Sequence, residues 1–207
     1  ERPLKLAKGK KRTLPFCVPI LQNGGTKVLI RDDGDAVVYE RELTNSGTDE
    51  NLFYVGILSD EPNSLAYLDG HALYSGSSMQ CDTFQLDRRN LPYDSEALDL
   101  FDMIIISRME TDKMGEGRKQ ALLDWVYDGG WLIFSTGEYA EETLSGFQEL
   151  LGISVNQETE GSENQLAAAD ISMEKGDRIK ADEDGRSIYQ RRKMGRGWIG
   201  IVAYDME

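Results

Sequence analysis

Three groups of residues carry side chains able to do chemistry, and each follows an apolar run. Asp60 and Glu61 follow FYVGILS, Ser107 and Glu110 follow DMIII, and Ser135, Thr136, Gly137 and Glu138 follow WLIF. Carboxylates and hydroxyls placed this way could hold a divalent cation or receive the amino and hydroxyl groups of a ligand. The same residue types also cap helices and close loops on local grounds. Both roles therefore stand open at all eight positions.

Nucleophilic chemistry at Ser135 fails on its neighbours. A strained elbow needs G-x-S-x-G and a histidine base, but Ile133 stands two residues before Ser135, and the chain's one histidine is His71. His71 lies in a loop rich in Gly and Ser, where an exposed structural role is expected. The two cysteines, Cys17 and Cys81, are too few to complete a four-ligand zinc site with one His. They are expected as buried free thiols, the alternative being a disulfide and an oxidising compartment. No phosphate-cradling glycine motif follows a strand. No catalytic residue, metal or cofactor is assigned.

The elements that must position these groups alternate. FYVGILSD reads as a strand covered on both faces, Pro62 to Leu68 as a helix capped by Ser59 or Asp60, and TFQLD as a second strand. SEALDLF reads as a short helix, and DMIIISR as a β-branched third strand. Lys113 to Asp128 spaces Leu122, Leu123, Trp125 and Val126 to bury one helix face. Gly129 suits the left-handed residue that ends it. Trp131 to Ser135 is the next strand, Glu141 to Leu151 a helix stopped by Gly152, and GWIGIVAYD a terminal strand after the MGRG turn. Strands and helices in this alternation imply a mainly parallel sheet. Residues 153–190 show only short strand-like pieces among acidic loops. Trp125, Tyr127, Trp131, Trp198 and Tyr204 fall on core-facing or edge positions, with sugar stacking as the other use of such rings.

Ahead of this unit, residues 3–43 alternate as four strands, PLKLAK, TLPFCVPIL, TKVLIRD and AVVYEREL, joined by turn-formers. This predicts a small antiparallel β unit over residues 1–48, with TNSGTDEN as linker and the α/β domain over 52–207. Residues 1–48 hold nine Lys and Arg against six Asp and Glu, a charge of +3, so the remainder carries −17 of the net −14. So acidic a surface repels phosphate backbones and anionic lipid, which argues against nucleic acid as partner. The Lys8 to Arg12 run reads as a solvated turn. No apolar run approaches the ~18 residues of a membrane span, and no signal peptide is visible. The chain starts at Glu1, as a piece of a longer protein would. Membrane contact is expected only through segments outside it.

FYVGILSD, DMIIISR, WVYDGGWLIFSTG and GRGWIGIVAYD together resemble the class I glutamine amidotransferase-like superfamily over residues 52–207. The nearer likeness is to a non-enzymatic branch in large bacterial envelope proteins. The resemblance implies a three-layer flavodoxin-like fold and an extracytoplasmic location, with a cytoplasmic one as the alternative. It does not carry the chemistry, because the family's Cys nucleophile and His base have no counterpart after Cys81. The function it implies is a non-catalytic binding or structural module whose protein or small-molecule ligand is not specified. The alternatives are a hydrolase or transferase with a carboxylate or metal site at the strand ends, and a small-ligand sensor using the same cleft.

Overall fold

A computed structural model describes residues 9–10, 26–43, 49, 51–159, 168–182, 185 and 187–207. The chain divides into two compact units, Glu1–Thr48 and Asp49–Glu207. In the first, β1 (Thr26–Arg31) and β2 (Val37–Leu43) form an antiparallel hairpin with Thr26 opposite Leu43. Asp32 Oδ1 closes its turn by accepting from Gly34 N at 2.9 Å and Ala36 N at 3.0 Å. The other two expected strands, Cys17, and all of the Lys8 to Arg12 run except Gly9 and Lys10 lie outside the described residues.

The second unit is mixed α/β, built on a seven-stranded sheet in the order β4-β3-β5-β6-β11-β10-β9. Its strands are β3 (Leu52–Leu58), β4 (Gln80–Leu86), β5 (Met103–Ser107), β6 (Trp131–Ser135), β9 (Asp177–Ala181), β10 (Ser187–Met194) and β11 (Gly197–Val202). The first five strands in that order are mutually parallel. β10 and β9 add an antiparallel edge. β7 (Ile153–Thr159) and β8 (Ala168–Met173) form a separate antiparallel pair among the short strand-like pieces of residues 153–190.

Strand periodicity sends alternate residues to opposite faces. Ile104, Ile106, Leu132 and Phe134 pack with Leu122 and Val126 of helix α1 (Glu116–Asp128) and with Leu144 and Phe147. Phe134 and Phe147 meet edge-on at 5.2 Å. Val55, Ile57, Ile105 and Ile133 face the other way, against Leu65 and Cys81. Each such side chain contributes about 1.5–3 kcal/mol relative to exposure. Cys81 is a buried free thiol, and burial pushes its pKa up.

The Gly-Gly turn ends α1 as the sequence requires. Gly129 takes φ 135°, and a Cβ at Gly130 would stand 2.3 Å from the Trp125 ring. Three expected helices are shorter than their patterns. Between Pro62 and Leu68 only Ala66–Leu68 makes a 3₁₀ turn, because Asn63 and Leu65 adopt φ of 61° and 53°, outside the helical basin. Glu141 to Leu151 is split into α2 (Ala140–Leu144) and α3 (Gln148–Leu151). The break seats Gly146 where a Cβ would lie 2.3 Å from Thr111 O. SEALDLF is likewise a single 3₁₀ turn, Ser95–Leu98, with Asp94 accepting from Glu96 N. No helix among the described residues is long and apolar enough to cross a membrane.

Candidate binding site at the strand ends

Parallel strands bring their carboxyl ends to one edge, and β4 and β5 leave β3 in opposite directions. The crevice at such a switch point is where open α/β sheets bind ligands. The residues singled out in the sequence lie along this edge: Asp60 and Glu61 after β3, Ser107 and Glu110 at and after β5, and Ser135 to Glu138 at and after β6.

The carboxylates there are drawn to cations of the chain itself. Asp60 Oδ2 accepts from Arg88 Nη1 at 2.8 Å and from Glu110 N at 3.3 Å. Glu110 pairs with Lys113, one helical turn on. Glu61 Oε2 receives Arg108 Nη1 at 2.9 Å. Glu138 is exposed, and its charge is the first cause that raises the pKa of the Tyr139 phenol. Among the described residues, no three His, Cys, Asp or Glu side chains form a group able to hold a metal. Of the four strand-end carboxylates, Asp60 and Glu61 pair with arginines and Glu110 with Lys113.

Arg108 is the hub, and the sequence reading passed over it between Ser107 and Glu110. Its Nε donates to Asp205 Oδ2 at 2.7 Å, its Nη2 lies 2.6 Å from the same oxygen, and its guanidinium sits 5.0 Å from the centre of the Tyr139 ring. The Asp205 hydrogen bond, followed by that of Glu61, raises its pKa against the opposing effect of burial. The backbone of Arg108 is left-handed, with φ 45°. A non-glycine residue holds that conformation only where surrounding contacts over-determine it.

The polar groups at the tip of β6 hold the last residue of β11 and the segment that follows it. Thr136 donates through Oγ1 to Val202 O at 2.7 Å and through its amide to Tyr204 O at 3.1 Å. Gly137 N donates to Ala203 O at 3.2 Å. A Cβ on Gly137, whose φ is 60°, would lie 2.6 Å from Asp205 N. Ser135 Oγ accepts from Met206 N at 2.9 Å. Tyr67 OH donates to Met206 O at 2.9 Å, and Ser64 Oγ and Leu65 N (2.8 Å) both donate to Glu207 Oε1. Ser107 Oγ is fully buried beside Ser135 in the parallel ladder and has no partner among the described residues. Residues 203–207 thus lie across the crevice from β6 to the loop after β3.

The sequence reading therefore located the edge but missed Ser64, Tyr67, Arg108, Asp205, Met206 and Glu207. Two signals for them are in the sequence: a lone arginine directly after an apolar strand, and an acidic Asp-x-Glu shortly after the last strand.

A hollow of about 680 Å³ lies at the opposite, amino-terminal edge, lined by Phe53, Phe101, Met103, Trp125 and Trp131 among others. Trp131 is 38% exposed and Tyr127 61%. Those two rings depart from the expected core or edge packing. Trp131 pairs with Trp198 at 6.4 Å.

No family model matches the chain, and no curated protein matches it. Solved structures do. A cytoplasmic protein from Salmonella typhimurium is 12% identical over 74% of this chain and 87% of its own, with a TM-score of 0.50. At that identity the likeness bears on the fold alone and agrees with the mixed α/β architecture. An exo-β-1,4-mannosidase from Opitutaceae bacterium strain TAV5 is 12% identical over 73% of this chain, with a TM-score of 0.45. A β-galactosidase from Bacillus circulans sp. alkalophilus is 14% identical over 73%, also at 0.45. The chain spans 31% and 28% of the lengths of these two glycosidases.

Proposed function

We propose that residues 49–207 are a non-catalytic binding module of the amidotransferase-like type, a three-layer flavodoxin-like domain within a larger bacterial extracytoplasmic protein. The order β4-β3-β5-β6-β11 supports the flavodoxin-like part, since numbering these five strands along the chain gives 2-1-3-4-5. The amidotransferase-like and extracytoplasmic parts rest on the sequence resemblance.

One observation carries the non-catalytic reading: residues 203–207 lie against the strand ends, and Arg108, Ser135 and the Thr136 and Gly137 amides, which would meet a substrate there, already hold them. Ser135, the residue at the strand tip, accepts the Met206 amide, and the sequence supplies neither Cys nor His after Cys81. A nucleophile without a base within hydrogen-bond reach is not activated.

The test is turnover by the purified chain with glutamine, p-nitrophenyl esters and p-nitrophenyl glycosides, with and without divalent cations. No turnover above the uncatalysed rate is expected. Turnover abolished by Asp60→Asn or Glu110→Gln would replace this reading with the carboxylate hydrolase.

A further inference from the structure

We infer that the strand-end crevice is a recognition site for an acidic peptide of the pattern Asp–apolar–Glu, and that Asp205-Met206-Glu207 occupies it in cis as a built-in competitor. This rests on the binding role proposed above and names the ligand class.

Each recognisable group of the tripeptide is read by a different part of the domain. Arg108 takes the first carboxylate through two nitrogens, at 2.7 and 2.6 Å. Ser135 Oγ accepts the middle residue's amide and Tyr67 OH donates to its carbonyl, both at 2.9 Å. The Met206 side chain packs on the apolar cluster of Leu65, Ile105 and Ile133. Ser64 Oγ and Leu65 N converge on the Glu207 carboxylate. Two carboxylates, one amide, one carbonyl and one thioether are thus matched, which is sequence-selective recognition of a tripeptide that Glu207 N turns back onto Asp205 Oδ1 at 3.1 Å.

Two further observations point to a site rather than to routine intramolecular packing. Ser107 Oγ is fully buried with no partner among the described residues, on the strand next to Ser135 and level with it. Its hydroxyl is a donor that residues 203–207 leave unused. Arg108, Asn63 and Leu65 are all left-handed non-glycine residues, with φ of 45°, 61° and 53°. Leu65 is fully buried in that conformation while its amide is aimed at a carboxylate. Such conformations concentrate at ligand clamps and switch regions.

A tethered competitor acts at an effective concentration in the millimolar range, so the native chain masks the site. Weakening the cis segment without touching the cradle unmasks it.

The experiment uses the full chain and its double variant Asp205→Asn/Glu207→Gln, titrated by fluorescence anisotropy with labelled acetyl-Tyr-Asp-Met-Glu-amide. The double variant is expected to bind at least about tenfold more tightly than the native chain, the scale of one lost charge-assisted contact. A peptide with Asn and Gln in place of the acids is expected to lose that binding, as is Arg108→Gln added to the double variant. Free glutarate, which offers carboxylates without backbone or thioether, is expected to bind about tenfold more weakly or worse. If the double variant keeps native tryptophan emission yet binds neither peptide, or binds both equally, the inference is overturned. Glutarate binding equal to that of the peptide also overturns the peptide assignment. Should the double variant not fold, Glu207→Gln alone keeps the Arg108–Asp205 pair and must show a gain of the same sign. Turnover is a separate readout, so failure here leaves the non-catalytic reading standing.

Discussion

Replacing Arg108 with glutamine removes the cation that joins the ends of β3, β5 and β11. Its side chain is 24% exposed and that of Asp205 17%, so the pair is shielded well enough for its two contacts to count. A charge-assisted hydrogen-bonded pair contributes about 1.5–3 kcal/mol, and the stacking on Tyr139 about 0.5–1 kcal/mol. The Glu61 carboxylate is 49% exposed, and its pair with Arg108 adds at most a fraction of 1 kcal/mol. The expected loss is therefore about 2–4 kcal/mol, or on the order of 5–10 °C in Tm for a domain of this size. Thermal unfolding followed by tryptophan emission reads it cleanly, because the three tryptophans, Trp125, Trp131 and Trp198, all lie in the α/β unit. A second comparison separates guanidinium from backbone. With φ at 45°, Arg108→Ala keeps the left-handed strain that Arg108→Gly relieves, so the glycine variant should be the more stable by about 1 kcal/mol. That order reverses the usual Ala–Gly ranking. An unchanged Tm for Arg108→Gln, or an alanine variant at least as stable as the glycine one, would refute the reasoning.

Gly137→Ala places a Cβ 2.6 Å from Asp205 N at a φ of 60°, so strain and displacement of residues 203–207 add. A loss of about 3 kcal/mol in urea unfolding is expected, and a loss below ~1 kcal/mol would mean that the segment yields freely. Tyr67 is held protonated above its ordinary pKa by burial, then by Glu207 and Asp205. Its contribution is therefore complete below about pH 10 and fades as pH rises through the raised value. The ring is 53% exposed, which keeps the effect small. Tyr67→Phe should flatten the alkaline limb of a Tm–pH curve, and identical limbs would remove Tyr67 from the account. Asp87 is the acid-side counterpart: the hydrogen bond from Arg89 lowers its pKa to about 2. A carboxyl resonance of Asp87 titrating in the ordinary range near pH 4 would contradict that pairing.

Much of the architecture was legible because it depends on local periodicity. The β-branched run of DMIIISR, the apolar face of α1 and the Gly129-Gly130 turn need no distant partner to be read, and all three are in place. What failed depends on tertiary demands. Pro62 to Leu68 has helical composition, but the loop turns left-handed at Asn63 and Leu65, where Leu65 N meets Glu207. Gly146 breaks the next helix because it abuts Thr111. The edge that bears the site followed from strand direction. Its chemistry did not, because the partners of Arg108 and Ser64 lie 97 and 143 residues away along the chain. Carboxylates read singly looked available to a cation. Read with their neighbours, Asp60 and Glu61 are paired with arginines and Glu110 with Lys113.

The most direct measurement is amide hydrogen exchange at Leu65, Gly137 and Met206 in the full chain at neutral pH. If residues 203–207 close the crevice, these amides exchange at least ~100-fold more slowly than in an unstructured peptide and are released together by Arg108→Gln. Exchange at the unprotected rate in the native chain would leave the crevice open and contradict the account.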